Sequence, residues 1–280
     1  KYAVKHTYRR HVEKLMIKSI FAPLTAVLTL TYITAMAALY IFQDKLIFAA
    51  EALPKDYKFD FKASFNEINL PVDGAILNAL HFEQEDSKGL IFFLHGNAGN
   101  LVDWVTDLQF YQQANYDLFI FDYRGYGKST GTLKSQAQAE EDVRVAWDFI
   151  APQYASKPVV IYGRSIGSAL ATELARQVKP ALLVLVSPFT SMIDMAKRRY
   201  PFAPSWLLRY PFETDKVIQS VTSKVLLIHG DKDDFIPITH SQRLQQLTQQ
   251  PSRLLVISGA NHSNIHNFDS YIDGLTKALP

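Results

Sequence analysis

The hydrophobic pattern divides the chain into two parts. Residues 20–42 form one apolar run without a charged side chain. As an α-helix this run would be about 34 Å long, enough to cross a bilayer core of about 30 Å. From about residue 60 onward, short apolar runs alternate with segments of helical periodicity. The pattern therefore predicts a transmembrane helix over 20–42, a linker over 43–59 and a globular domain over 60–280.

Charges beside the apolar run predict its orientation. Residues 1–19 are rich in Lys and Arg and contain a single acidic side chain, Glu13. Basic flanks stay on the cytoplasmic side of a membrane, so we predict a cytoplasmic N-terminus and a globular domain on the outer side. Val12, Leu15 and Met16 fall on one helical face, which predicts a basic amphipathic segment over 1–19 in the lipid headgroups. The lipid bilayer is therefore an expected partner.

Two other interpretations of the apolar run stay open. Ala35-Met36-Ala37 has the small residues of a signal-peptidase site, so the run is also compatible with a cleaved signal peptide. A helix buried inside a soluble protein would be apolar as well.

Strand and helix patterns alternate over the rest of the chain. Two alternating segments flank Asp73-Gly74, which is a hairpin signal. The later runs are continuously apolar, as expected for strands buried on both faces of a parallel sheet. The predicted strands are 65–70, 75–82, 90–94, 118–121, 159–162, 182–186, 225–228 and 254–257. Helical segments over 134–150, 166–178 and 239–249 complete the pattern of an α/β fold with a mostly parallel sheet and the hairpin at one edge.

One segment, residues 188–222, interrupts this alternation and is called the excursion. It is rich in aromatic residues and proline and has no strand pattern. It is either a helical segment packed on the sheet or a small cap over an apolar substrate pocket. For the cap, the candidate pocket residues are Tyr200, Phe202, Trp206, Leu207, Tyr210 and Phe212.

Composition excludes several classes of protein. The chain has 280 residues, of which 48% are hydrophobic, and a net charge of +2. These values exclude disorder and give no reason to expect nucleic-acid binding. The chain contains no Cys, which excludes disulfides, Cys-ligated metals and a Cys nucleophile. Paired metal-ligand spacings such as H-E-x-x-H are absent from the sequence, so no metal is expected.

A nucleophile motif follows one predicted strand. Residues 163–167 read Gly-Arg-Ser-Ile-Gly between the strand 159–162 and a helical segment. In this context G-x-S-x-G predicts a sharp turn that exposes Ser165 at a helix N-terminus. A serine hydroxyl becomes a good nucleophile only when a base takes its proton.

Suitable partners follow later strands, at the edge of the sheet where open α/β sheets place their sites. His262 follows the last predicted strand and is the candidate base. The preceding strand ends before three candidate acids, Asp231, Asp233 and Asp234. The order serine, acid, histidine is the order of a hydrolase triad on an α/β sheet.

An oxyanion hole needs main-chain N–H donors. One should come from Ile166, directly after the nucleophile, and another from the loop after an earlier strand. The strand 90–94 leads into His95-Gly96-Asn97-Ala98-Gly99-Asn100, in which Gly96 and Gly99 permit close backbone approach. Asn97 is the candidate for the second donor.

Over residues 60–280 the chain resembles the α/β-hydrolase superfamily. The resemblance rests on the segments 95–100, 122–129, 163–167, 230–237 and 259–264. The chain is most similar to the membrane-anchored serine hydrolases that include eukaryotic protein depalmitoylases. The resemblance implies an eight-stranded, mostly parallel sheet with helices on both faces and no cofactor. It also selects Asp233 as the acid of a triad with Ser165 and His262, and Asn97 and Ile166 as the oxyanion hole.

These residues predict a serine hydrolase that cleaves an ester or thioester of a small molecule or an acylated substrate. His262 would deprotonate Ser165, Asp233 would orient His262, and water would release the acyl-enzyme. A peptidase or amidase would use the same triad. A membrane-tethered binding protein that uses the fold without catalysis is the remaining alternative.

Overall fold

The computed structural model describes residues 2–106 and 108–280. Within residues 2–20, it describes side chains only for Met16 and Ser19. The amphipathic face predicted for 1–19 therefore lies outside the described side chains. The chain divides into two compact units, Lys1–Gln43 and Asp44–Pro280.

In the unit Asp44–Pro280, all eight predicted strands and all three predicted helices are present, and the structure adds short strands and helices that the pattern did not predict. The strands are β1 Ala49–Ala50, β2 Asn66–Val72, β3 Ala75–Phe82, β4 Leu90–Leu94, β5 Ala98–Gly99, β6 Asp117–Phe121, β7 Val159–Arg164, β8 Leu182–Val186, β9 Lys224–Gly230 and β10 Ser252–Ile257. The helices are α1 Tyr2–Ile47, α2 Leu101–Trp104, α3 Leu108–Ala114, α4 Gln136–Ile150, α5 Ile166–Val178, α6 Met192–Arg199, α7 Thr214–Val217, α8 Thr239–Leu247 and α9 Asp269–Thr276. Short 3-10 turns occupy Ala151–Tyr154, Ser205–Leu207, Ile218–Ser220 and Ile265–Asn267.

The apolar run lies in α1. Its segment Phe21–Ile47 is long and apolar enough to serve as a membrane anchor or as a signal sequence. Large side chains such as Leu24, Leu28 and Leu30 are exposed along it. Pro23 lies inside the helix, a position that membrane helices tolerate.

Residues 43–59, predicted as a linker, have regular structure in their first half. Residues 43–47 complete α1, and β1 pairs in parallel with β5. Ala49, Glu51 and Leu53 donate main-chain hydrogen bonds to the loops that follow β4 and β6. A two-residue strand is too short to show a period in the sequence, so its pairing partner was not predictable.

Among the described residues, eight strands form the main sheet in the order β10-β9-β8-β7-β4-β6-β3-β2. All neighbours are parallel except β2 with β3 and β3 with β6. The hairpin turns at Gly74, whose φ of +70° favours glycine. The predicted fold class, with the hairpin at one edge, is confirmed.

The sheet is covered on both faces because its central strands are apolar throughout. Along β4, the residues at positions 90, 92 and 94 pack into one core cluster and those at 91 and 93 into another. Side chains alternate between the faces of a strand, so the two clusters lie on opposite faces. Helices α4 and α5 contribute Val143 and Leu170 to the first cluster. Helices α3 and α9 contribute Phe110 and Tyr271 to the second.

Candidate active site

Ser165 occupies a sharp turn between β7 and α5. Its φ of 53° and ψ of −120° are unusual for a residue other than glycine. Such strain persists only when surrounding structure holds it, and here Ser165 N donates to Val186 O at 2.9 Å on the neighbouring strand β8. The turn therefore fixes the serine at the carboxyl edge of the sheet.

Glycines beside Ser165 are required by crowding. A Cβ at position 167 would lie 2.1 Å from Leu94 O, and one at position 163 would lie 2.5 Å from the Ala171 Cβ. Neither contact is possible without moving the backbone. The small residues of G-x-S-x-G thus allow α5 to approach β4 and β7 closely enough to form the turn.

The structure brings Ser165, His262 and Asp233 together. Ser165 Oγ lies 3.2 Å from His262 Nε2, and His262 Nδ1 lies 2.7 Å from Asp233 Oδ2. A carboxylate only accepts hydrogen bonds, so Nδ1 carries the ring proton and Nε2 is left to accept from the serine hydroxyl. The histidine is therefore in the tautomer that a general base needs.

Asp233 has partners for both carboxylate oxygens. Oδ1 accepts from Phe235 N at 3.1 Å and from Ile236 N at 2.8 Å. His229 Nε2 lies 3.5 Å from Oδ2. Burial by itself raises the pKa of Asp233, but hydrogen bonds from His229 and His262 outweigh burial and hold the pKa below its usual range. The carboxylate therefore stays ionised beside His262.

The neighbouring acids have other surroundings. Asp231 is exposed and accepts from Gly259 N at 2.7 Å, which ties the loop after β9 to the loop after β10. Asp234 is also exposed. Of the three candidate acids, Asp233 is the one that reaches His262.

Ile166 directly follows the nucleophile, and Asn97 lines the same cleft as Ser165. Neither main-chain N–H has an acceptor among the described residues. Asn97 is held from three sides, because its carbonyl accepts from Ala49 N and Tyr126 Oη, each at 2.8 Å, and its Nδ2 donates to Ile47 O at 3.2 Å. A fixed amide with no acceptor of its own is suited to bind an oxyanion.

A neutral pair lies under this loop. His95 Nε2 is 3.6 Å from Asp122 Oδ1, and both side chains are fully buried. Burial lowers the pKa of His95 to about 4 and raises the pKa of Asp122 to about 8. Both groups are therefore neutral at pH 7, and His95 fixes the loop start by a 2.7 Å contact between Nδ1 and Gly96 O.

A cleft of about 430 Å³ opens beside Ser165 and His262. Its walls come from the loop after β4, from α3 and from α9. The aromatic lining residues are Phe93, Trp104, Phe110, Tyr111, Tyr162 and Tyr271. Polar groups also line it: Glu51, Asp103, Arg164 and His266. The arrangement offers an apolar surface for an acyl group with charged side chains at its margin.

Arg164 joins the nucleophile turn to the histidine loop. Its Nη2 donates to His262 O at 3.0 Å and to Ser263 O at 3.4 Å. Its guanidinium lies over the Trp104 ring, 5.1 Å from the centroid. The side chain therefore holds the loop that carries His262 at a fixed distance from Ser165.

The predicted pocket residues of the excursion are corrected. Among the described residues, the lining of the Ser165 cleft includes none of the six. Tyr210 and Phe212 are core residues, while Phe202 and Trp206 are 82% and 79% exposed. Tyr200 is exposed and Leu207 half-buried. The excursion is attached elsewhere on the unit, because Tyr210 Oη donates to Leu133 O and its ring packs on Phe48.

Residues that the sequence did not single out shape the site. Trp104, Phe110 and Tyr111 come from α2 and α3, whose four and seven residues are too short to give a clear period. Arg164 is the residue before Ser165 in the G-x-S-x-G motif, and this position was the sequence feature that could have predicted its role. His229, the residue before Gly230, supports the acid.

Comparison with known families identifies the class of protein. A family model described as serine aminopeptidase, S33 (Hydrolase_4) matches residues 85–217, a region that contains Ser165 but neither Asp233 nor His262. The chain belongs to the α/β-hydrolase superfamily.

Among its relatives is the Homo sapiens Alpha/beta hydrolase domain-containing protein 17B, which is 32% identical over 198 residues. That alignment covers 69% of this chain and 66% of the relative, so the chain spans slightly less than two thirds of its length. An uncharacterised Mycobacterium tuberculosis protein is 33% identical over 205 residues, covering 71% of this chain and 73% of the relative.

Solved structures show the same fold at low identity. The Pyrococcus furiosus esterase Pf2001 superposes with a TM-score of 0.64 at 18% identity, over 80% of this chain and 94% of that one. An α/β-hydrolase from Vibrio vulnificus superposes with a TM-score of 0.64 at 17% identity, over 77% and 81% of the two chains.

Proposed function

We propose that the protein is a membrane-attached serine hydrolase that cleaves esters or thioesters through an acyl-enzyme. The observation that carries the proposal is the continuous contact from Ser165 Oγ to His262 Nε2 at 3.2 Å and from His262 Nδ1 to Asp233 Oδ2 at 2.7 Å. This geometry supplies a nucleophile, a base in the required tautomer and a charge that stabilises the imidazolium.

The reaction follows from the positions of these groups. His262 Nε2 takes the proton of Ser165 as Oγ attacks the substrate carbonyl. The resulting oxyanion lies against the main-chain amides of Asn97 and Ile166. His262 then gives the proton to the leaving alcohol or thiol, which departs as the acyl-enzyme forms. Water, deprotonated by His262, attacks the acyl-enzyme and restores the serine.

The cleft supports an acyl group of moderate size as the substrate part bound near Ser165. Its volume of about 430 Å³ and its aromatic walls suit an apolar chain. The substrate is therefore a small ester or an acylated molecule that presents its acyl chain to the cleft lined by Trp104 and Phe110.

A second candidate is an aminopeptidase with the same triad. The carboxylates of Glu51 and Asp103 line the cleft, and a carboxylate is what an aminopeptidase needs to bind the α-ammonium of a peptide. The matching family model carries an aminopeptidase description, which agrees with this alternative.

Hydrolysis assays separate these candidates. We expect the purified full chain to cleave nitrophenyl esters or acyl thioesters, with a dependence on acyl length that reports the depth of the cleft. The Ser165→Ala variant is expected to lose this turnover by several orders of magnitude. Faster cleavage of aminoacyl nitroanilides would favour the aminopeptidase. A folded chain that cleaves none of these substrates would contradict the proposal and favour the binding protein.

Membrane attachment by α1, with a cytoplasmic N-terminus and the hydrolase unit on the outer side, is part of the proposal. It is supported by the apolar segment Phe21–Ile47 and by the basic residues before it. Protease added to spheroplasts should digest the hydrolase unit. Complete protection would reverse the orientation, and release into the soluble fraction would indicate a cleaved signal.

A further inference from the structure

The excursion separates its aromatic residues into a buried and an exposed group. Tyr210 and Phe212 are at most 2% exposed and belong to the core. Phe202 and Trp206, a few residues earlier, are 82% and 79% exposed. Large apolar side chains exposed within one short segment are a feature of partner-binding and membrane-contact sites.

The exposed group is held on stiff turns. Ala203 N donates to Tyr200 O at 3.0 Å, and Leu207 N donates to Pro204 O at 3.1 Å. Pro201 and Pro204 fix the backbone angle φ within these turns. The rings of Phe202 and Trp206 thus project from a constrained backbone. Residues 197–206 are called the tip.

The tip also carries positive charge. Lys197, Arg198 and Arg199 end α6, and all three are exposed. Within the part of the chain that the structure describes, Lys197 and Arg199 form no ion pair. Arg198 Nη2 donates to the main-chain carbonyl of Asp234 at 3.3 Å.

Four acidic side chains near the tip have basic partners of their own, whereas the exposed Asp234 is in no ion pair among the described residues. Asp194 and Asp215 pair with Arg243, Glu213 pairs with Lys216, and Asp44 pairs with Arg209. The charges at positions 197 and 199 are therefore available to an anionic surface.

The base of the excursion is joined to the first residues of the hydrolase unit. Arg209 forms its ion pair with Asp44, and the ring of Tyr210 packs edge-on against Phe48 at 5.0 Å between centroids. Asp44 follows the apolar run 20–42 almost directly in the sequence. The base of the excursion therefore contacts the residues that directly follow the apolar run in the sequence.

We propose that the tip is a second membrane-contact site, which binds an anionic phospholipid surface. Phe202 and Trp206 enter the boundary between headgroups and acyl chains, where aromatic side chains are enriched. Lys197 and Arg199 bind lipid phosphates, since basic side chains are attracted to anionic leaflets. The cleft is lined by other elements, so the tip orients the unit on the membrane without occupying the active site. The proposal uses the membrane attachment proposed above but does not depend on the hydrolase chemistry.

The absence of Cys allows a direct test with the full chain. Ser205→Cys places a nitrobenzoxadiazole label inside the tip and leaves both aromatic rings in place. Ser156→Cys is the matched control, because Ser156 is an exposed serine outside the excursion and the cleft. Both proteins are reconstituted in phosphatidylcholine vesicles with or without phosphatidylglycerol, and headgroup-nitroxide lipids serve as quenchers.

In vesicles with phosphatidylglycerol, the label at position 205 is expected to shift to the blue and lose most of its emission to the nitroxide lipid, whereas the label at 156 keeps its emission. The pair Lys197→Gln and Arg199→Gln should reduce this quenching, as should added salt, which screens surface charge. The pair Phe202→Ser and Trp206→Ser should abolish the blue shift.

If the protein floats with the vesicles but the labels at positions 205 and 156 have the same emission and the same quenching, the second contact site is overturned. Membrane attachment by α1 is then unaffected. A blue shift at 205 that grows with protein density and is insensitive to the quenching lipid would also overturn the second contact site, because a second copy would then cover the tip. Failure to float would overturn membrane attachment and this proposal together. Fluorophosphonate labelling of the same samples reports the hydrolase chemistry separately.

Discussion

The Asn97 side chain donates a hydrogen bond from Nδ2 to the main-chain carbonyl of Ile47 at 3.2 Å. This contact joins the proposed oxyanion loop to the end of α1. Ala49 N donates to Asn97 O at 2.8 Å, and Asn100 Nδ2 donates to Glu51 O at 3.2 Å, so the connection is continuous. The segment that follows the apolar run therefore holds the loop of the candidate active site, and its Glu51 lines the cleft.

Asn97→Asp should lower kcat by about tenfold, less than the loss of a whole oxyanion donor, because the main-chain N–H of residue 97 remains. The aspartate cannot donate to Ile47 O and is repelled by it, so the loop shifts. Ester-hydrolysis kinetics measure the effect. Asn115→Asp is the matched control, since Asn115 Nδ2 also donates to a carbonyl, that of Asp86, on a remote loop. Equal kcat in both variants would contradict a positioning role.

Arg164→Lys tests the support of the histidine loop. A lysine at this position cannot keep both carbonyl contacts, to His262 and Ser263, and also stack on Trp104. We expect kcat to fall by about tenfold, because the loop shifts and His262 is then displaced from its position beside Ser165. Arg144→Lys, on an exposed ion pair with Asp148, should leave the kinetics unchanged. An Arg164→Lys variant as active as the control would show that Arg164 does not position the loop that carries His262.

Asp233→Asn should reduce kcat by about 10⁴-fold, because the amide no longer stabilises the imidazolium and favours the wrong tautomer of His262. The exposed neighbour provides the control, and Asp234→Asn should retain full activity. Loss of activity in the Asp234 variant with retention in the Asp233 variant would reassign the acid.

The buried Asp122 predicts a pH dependence of stability. Burial raises its pKa to about 8, so the folded state keeps a proton that the unfolded chain loses near pH 4. The free energy of unfolding must then decrease as the pH rises through 8, by about 1.4 kcal/mol between pH 7 and 9. The pKa of His95 is lowered to about 4 in the folded state, from about 6.5 in the unfolded chain. Its titration therefore changes the free energy of unfolding only below about pH 6.5 and not between pH 7 and 9.

Thermal unfolding of the full chain in detergent at pH 7 and pH 9 measures this effect. Asp122→Asn carries no titrating group at that position, so its midpoint should fall less than that of the unsubstituted protein. An identical fall in both proteins would show that Asp122 does not bind a proton in this range.

Much of the fold and the nucleophile follow from local patterns. The strands of the main sheet are short apolar runs such as 90–94 and 182–186. Such runs are typical of strands that are buried on both faces of a parallel sheet. Ser165 is recognisable because the turn it needs excludes side chains at positions 163 and 167. His262 follows from its place after the last strand.

The substrate cleft did not follow from the sequence, for a physical reason. Aromatic composition marks the excursion, but it does not say which rings are buried, since Tyr210 joins the core while Trp206 faces outward. The cleft instead takes Trp104 and Tyr271 from helices far apart in the chain. Such long-range assembly has no signature in a local pattern, and the pairing of β1 with β5 escaped prediction for the same reason.

The most direct test of the central claim is reaction of the full chain with a fluorophosphonate, followed by mass spectrometry of the modified peptide. We predict a single phosphonylated serine at position 165, lost in Ser165→Ala and retained in Ser263→Ala, which alters another serine of the same cleft. A folded protein that takes no label at Ser165, or one that is labelled equally after Ser165→Ala, would contradict the claim that Ser165 is an activated nucleophile.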